Sequence, residues 1–198
     1  KLGINATRNT PVLSILDPNL ILNSPKKVLY SSSSDTLVHT IEGFTSKKSN
    51  EFSKVFSKKS FSLFKDSIIK LFEESNNLNA IMNLQWASSF AMVGMSNSSS
   101  GVSGALSYFL GTHYKINHGI AGGFFLRKIC RYNHKKGYFG LGELVDDNSE
   151  KGSEKVILFI DSIVTSFLSE FDMKSISKDL KKNSEFKNFL KDMQSNYE

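Results

Sequence analysis

After Pro25 no further proline occurs as far as the last residue, Glu198. Proline removes a backbone donor and clashes with the preceding helical turn, so its absence over so long a stretch leaves helix as the permitted default. The apolar residues follow the same rule. Phe52, Val55, Phe56, Leu63, Phe64, Ile68, Leu71 and Phe72 recur near i, i+3, i+4 spacing, which predicts an amphipathic helix over about 50–74. Residues 78–96 are apolar or small almost all round, from Ile81 through Trp86 to Met95, which predicts a central helix. The serines at 31–34 offer N-cap hydroxyls and Asp35 follows where a carboxylate suits the dipole, which predicts a helix over about 34–45. Further helices are expected at about 101–110 (ending at Gly111), from His118 onward, at 153–171 and at about 184–195. The Gly- and Asp-rich stretch 137–152 reads as a loop.

Upstream, Pro11 to Asp17 reads as a short apolar strand stopped by Asp17-Pro18. The expected fold is therefore mainly α, an all-helical bundle with a short N-terminal strand remnant. Residues 1–27 form the tail of a preceding α/β domain or a linker strand, and 28–198 form the helical domain.

Composition removes several function classes. With 39% hydrophobic residues and 16 Phe, the chain can build a core. A single cysteine, Cys130, excludes an internal disulfide framework and a multi-cysteine zinc site, and fits a reducing, cytoplasmic setting. Its neighbours Ile129 and Arg131 continue an apolar run in which a buried, inert thiol is expected. The net charge of +6 is carried by scattered lysine pairs, so no nucleic-acid partner is expected. No apolar run approaches the roughly 20 residues of a membrane span, and Lys1-Leu2-Gly3-Ile4 leads into polar sequence with no signal-peptide pattern. The first residue is not Met, so the chain is expected to begin inside a longer protein or to be processed.

Asp35 and His39 stand at i and i+4, so one helical face can offer a carboxylate oxygen and an imidazole nitrogen to a metal ion. Taken alone, the pair also reads as a dipole-stabilising carboxylate beside a surface histidine. His118 is followed by Gly119-Ile120-Ala121-Gly122-Gly123, whose small residues let another element approach closely. A histidine at a helix start is equally a common structural device.

In combination these segments form a pattern. Asp35-Thr-Leu-Val-His39-Thr-Ile-Glu42-Gly43-Phe44 closely resembles the Asp-Ala-Leu-x-His-Ala-Ile-Glu-x-Tyr signature of the iron-containing (metal-dependent) alcohol dehydrogenase family. Ala105-Leu106-Ser107-Tyr108, Leu110-Gly111 and Tyr114-x-Ile116-x-His118-Gly119-Ile120-Ala121 resemble its second motif. Phe124-Phe125-Leu126 and Arg131-Tyr132-Asn133 continue in register, and Ile15-Leu16-Asp17-Pro18-x-Leu20 is similar to the family's lead into its helical domain. The resemblance covers about 11–133.

It implies a helical domain that holds a divalent metal (Fe²⁺, with Zn²⁺ as the alternative) beside an N-terminal α/β domain that binds NAD(P). The implied activity is oxidation of an alcohol or reduction of an aldehyde by hydride transfer. The implied partners are a small alcohol or aldehyde substrate and a second copy in a homo-oligomer, with no membrane. The family's ligands are one Asp and three His, and Asp35, His39 and His118 match three of them. Counting back from His118, the fourth falls on Gly104, which has no side chain to offer; Ser103 is adjacent and His113 is the nearby histidine. Where many members carry a second, non-ligand histidine this chain has Tyr108, a substrate or proton-relay contact by resemblance, or else a packed tyrosine with its hydroxyl bonded.

No glycine-rich pyrophosphate loop occurs in the sequence, so NAD(P) is expected only with the α/β domain present, and the chain alone is expected to be inactive. The alternative is a degenerate, non-catalytic family member with a structural or oligomerisation role. The related dehydroquinate-synthase-like and glycerol dehydrogenase branches share the architecture, and the intact Asp35–His39 pair argues against them. An HD-type phosphohydrolase would need adjacent His and Asp, which the chain lacks.

Overall fold

The computed structural model describes residues 11–197, with side chains through Met193. Eight helices follow one another: α1 (Lys26–Thr45), α2 (Glu51–Glu73), α3 (Leu78–Ser96), α4 (Val102–Tyr114), α5 (His118–Lys135), α6 (Glu150–Leu168), α7 (Met173–Leu180) and α8 (Ser184–Tyr197). Two 3₁₀ turns, Pro18–Leu20 and Gly140–Val145, complete the order.

Local chemistry sets most of the helix starts. Asn50 and Ser53 cap α2 reciprocally: the Asn50 side chain accepts from the Ser53 amide at 3.0 Å, and Ser53 Oγ accepts from the Asn50 amide at 2.9 Å. The Asn77 side chain accepts from the Ala80 amide of α3 at 3.0 Å, and Ser149 accepts from Gly152 of α6 at 3.2 Å. α4 has no such cap of its own.

α1 is the central helix and touches α2 to α6. Leu37, Ile41, Phe64, Ile68, Ile81, Leu110, Ile120, Ile160, Val164 and Phe167 are fully buried around it. Its many hydroxyls are packing residues. Thr40 Oγ1 lies 2.6 Å from Ser60 Oγ of α2, and Ser60 in turn donates to the Ala87 carbonyl of α3 at 2.7 Å. Small side chains at such crossings bring helix axes close while their polar atoms stay bonded.

The structure departs from the sequence expectations in five places. α1 begins at Lys26 behind Pro25, so the serines at 31–34 are interior and not a cap, and Asp35 lies mid-helix. Ser33 and Ser34 are buried there, which is why cap-forming residues are used inside a helix. Residues 11–16 pair with no strand among the described residues, and Val12, Leu13 and Ile15 are exposed; a strand needs a partner to complete its ladder. α3 buries only one face, Ala80, Ile81, Ala87, Ala91 and Gly94, and turns Trp86, Met92 and Val93 outward. Its buried side is small because α2 lies so close: a Cβ on Gly94 would sit 2.6 Å from Ser57 Oγ. Finally, α4 runs through Gly111 to Tyr114 and is capped by Lys115, which takes the left-handed conformation at φ 57°. α7 was not anticipated from the sequence pattern.

Cys130 is buried in α5, and burial, aided by the charges of Asp161 and Glu42, pushes its thiol up to about 12. At about pH 8 only ~1 in 10⁴ such thiols is ionised. The folded chain is therefore expected to resist iodoacetamide and the denatured chain to react; mass spectrometry of both states checks this, and rapid labelling of the native chain would refute it.

Candidate metal centre

α1 carries Asp35 and His39 one turn apart, with His39 Nε2 at 3.7 Å from Asp35 Oδ1. α5 opens with His118, whose Nε2 lies 3.9 Å from the same oxygen. One donor atom from each of the three lies within 4.8 Å of the others, and all three residues are partly buried. The sequence-predicted ligands Asp35, His39 and His118 thus come together, although the helices that carry them lie far apart in the chain.

A close helix crossing brings them there. An added Cβ on Gly119 would lie 2.0 Å from the Ser31 carbonyl oxygen and 2.8 Å from Asp35 Cβ, so only glycine permits this approach. Ser34 Oγ of α1 donates to the Gly119 carbonyl at 2.7 Å and locks the crossing. The small residues after His118 act as their pattern suggests.

The donor set fits a cation. Asp35 Oδ1 is buried and has no hydrogen-bond partner among the described residues. A shielded carboxylate oxygen left unbonded is expensive unless something positive meets it. Metal bonds of about 2.0–2.2 Å separate donor atoms in a tetrahedral shell by about 3.5 Å, close to the spacings here. One oxygen and two nitrogens suit Fe²⁺ and Zn²⁺ alike.

Two side chains that the sequence reading left without a role complete the centre. The buried Glu42 follows Asp35 and His39 by seven and three positions on α1. Its carboxylate accepts from the Gly101 amide at 2.8 Å and the Gly104 amide at 3.0 Å, so α1 caps α4. The 35–39–42 spacing on one helical face was the available signal. Ser107 of α4 is fully buried; its Oγ lies 2.7 Å from His118 Nδ1 and donates to the Gly104 carbonyl at 2.5 Å.

At Gly104 no side chain reaches the centre, and a Cβ there would stand 3.2 Å from Glu42 Oε2. His113 does not replace the ligand: its ring stacks on Phe109 at 3.9 Å and its Nε2 pairs with Glu185 at 3.1 Å. Ser103 is buried and does not line the cleft.

That cleft, of about 540 Å³, is lined by His39, Glu42 and His118 together with Met95, Phe189 and Met193. Tyr108 stands at its edge, exposed, with its ring 4.9 Å from that of His118. α8, which contributes Phe189 and Met193, is moored through Phe186 against Phe109 at 5.0 Å. Next to it Tyr114 donates to Asp179 at 2.5 Å and accepts from Asn183 at 3.1 Å.

The family model described as Fe-containing alcohol dehydrogenase family, C-terminal, matches residues 30–185. Among curated relatives, the 1,3-propanediol dehydrogenase of Klebsiella pneumoniae is 28% identical over 151 residues, covering 75% of this chain and 39% of that enzyme. The 4-hydroxybutyrate dehydrogenase of Clostridium kluyveri is 28% identical over 138 residues, covering 69% and 37%. A crystal structure of 1,3-propanediol oxidoreductase superposes with a TM-score of 0.73 at 26% identity, covering 81% of this chain and 44% of that one. The chain spans about two fifths of the length of these curated relatives. Among the described residues no helix is long and apolar enough to cross a membrane.

Proposed function

Because the chain belongs to the Fe-containing alcohol dehydrogenase family, in its C-terminal helical part, we propose that it supplies the metal-holding half of a metal-dependent, NAD(P)-linked oxidoreductase acting on a small alcohol or aldehyde. The observation that carries this reading is the convergence of Asp35 Oδ1 and the Nε2 atoms of His39 and His118, with Oδ1 buried and unbonded. A divalent cation bound there supplies a Lewis acid for the substrate oxygen, and the nicotinamide supplies or accepts the hydride. The protein's part is positional. His39, His118 and Asp35 hold the charge at the cleft wall, and Tyr108 stands beside His118 to contact substrate or pass a proton. Met95, Phe189 and Met193 supply the apolar part of the cleft lining. In this reading residues 28–198 are the metal-binding domain, while 1–27 belong to the tail of a nucleotide-binding domain or a linker. The dinucleotide would be held by that accompanying α/β domain, since this sequence has no glycine-rich phosphate loop.

Metal titration tests the proposal. Chelator-stripped chain is expected to take up about one Zn²⁺ or Fe²⁺. At a hundredfold excess over Kd this should stabilise it by about 2.7 kcal/mol, or roughly 5–10 °C in Tm. The gain should vanish in His118→Ala. A chain that retains no metal and gains nothing from either ion refutes the proposal.

Gly104 favours a second reading, a non-catalytic structural or oligomerisation module. It expects no metal uptake and no difference between parent and His118→Ala in the same titration.

A further inference from the structure

We infer that Phe189 is a specificity-determining residue. With Met95 and Met193 it makes this chain's share of the cleft a seat for the uncharged, aliphatic tail of a primary alcohol or aldehyde, and not for a tail that ends in a carboxylate. The inference rests on the proposed function for its purpose, while the selectivity itself belongs to the metal-free cleft.

Charge carries the first half of the argument. Among the described residues no lysine or arginine lines the cleft, whereas Glu42 does. The Glu42 carboxylate is held there by the Gly101 and Gly104 amides. A second carboxylate entering the cleft would give up water and meet a like charge, with no cation to pair with. A divalent ion beside Asp35 does not alter this, because the carboxylates of Asp35 and Glu42 already match its two charges.

Apolar surface carries the second half. Met95, Ala105, Phe189 and Met193 line the same space. Phe189 and Met193 stand four residues apart on α8 and so share one face of it. Phe109, a buried ring of α4, seats that helix, with Phe186 at 5.0 Å and Phe189 at 5.4 Å. Glu185, on the preceding turn, pairs with His113 of α4 at 3.1 Å. Phe189 therefore lines the cleft from a seat that does not depend on the metal. Each methylene that leaves water against such a lining strengthens binding roughly two- to fourfold. Phe189 and Met193 lie beyond residue 185, where the match to the family model stops, so the preference is read from this chain and not carried over from relatives.

The test is a titration of the metal-free chain, labelled with ¹³C in its methionine methyls and followed by NMR. The probes are straight-chain primary alcohols from 1-propanol to 1-hexanol, and 4-hydroxybutyrate. The Met95 and Met193 signals should move with the alcohols, while Met92, exposed on α3 and outside the cleft, controls for general solvent effects. Affinity should rise roughly two- to fourfold per methylene, and 4-hydroxybutyrate should bind roughly tenfold more weakly than 1-butanol. Phe189→Ala should weaken 1-hexanol roughly tenfold and 1-propanol little, and Phe189→Leu should stay near the parent. Three results overturn the inference: cleft methionines that move no more than Met92, 4-hydroxybutyrate binding as tightly as 1-butanol, or Phe189→Ala binding 1-hexanol like the parent. Should Phe189→Ala fail to fold, the first two still decide. Alcohol preference without metal uptake leaves this inference standing and removes the proposed function; metal uptake without alcohol preference does the reverse.

Discussion

The Gly119→Ala variant is expected to melt about 6–12 °C below the parent chain and to lose most of its metal affinity. The added methyl would sit 2.0 Å from the Ser31 carbonyl oxygen and 2.8 Å from Asp35 Cβ. Overpacked positions usually cost about 1–3 kcal/mol, and the upper end applies when the obstacle is backbone in a helix crossing instead of a flexible side chain. Relief requires α5 to slide away from α1, which stretches the Ser34–Gly119 hydrogen bond and carries His118 from Asp35. Gly122→Ala is the control on the same helix. Its methyl would meet Val38 Cγ2 at 3.1 Å, a side-chain end that can give by a few tenths of an ångström. Thermal melts with and without Zn²⁺ compare the two. If both variants behave alike, the crossing at Gly119 does not set the site.

The second large effect runs the other way. Gly104→His is expected to raise Zn²⁺ affinity by more than the roughly 10–100-fold assigned to an outer hydrogen bond, because it adds a ligand and closes the shell. Position 104 is the third residue of α4 and lines the same cleft as His39 and His118. A Cβ there meets only Glu42 Oε2 at 3.2 Å, a carboxylate end able to shift slightly. Replacing a helical glycine also favours α4 by about 0.5–1 kcal/mol, so the variant is expected to fold. Competition with a chromophoric chelator measures the gain, and the Co²⁺ spectrum reports whether a third imidazole has joined. An affinity equal to the parent's would show that a side chain at 104 does not reach the centre.

What the sequence disclosed depended on whether a residue's role is local. Asp35 and His39 sit one turn apart on a single helix, so their partnership follows from helix periodicity, and the resemblance added His118. α2 was readable from its apolar spacing, and its start agrees because Asn50 and Ser53 settle their cap between themselves. The start of α1 was not, because Ser33 and Ser34 look like caps but are buried inside the helix, and Ser34 serves a crossing with a helix 85 residues later. The exposed face of α3 escaped for a similar reason: hydropathy says which residues are apolar, but not that Gly94 must press on α2. Glu42 and Ser107 carry meaning only once the start of α4 lies against α1 and α5. A pattern could suggest them, and only the packed structure assigns them work.

Glu42 has one further consequence. Two amides of α4 are tethered to a carboxylate on α1, so the helix that should carry the fourth ligand is seated by the main chain and not by the metal. A side chain at 104 asks the Glu42 carboxylate for only a slight shift, because the main-chain amides that it holds remain. A ligand at that position can therefore be lost or regained by a single substitution while the cleft keeps its shape. In the proposed reading, change at residue 104 can therefore weaken or strengthen a metal site without the helices being rebuilt.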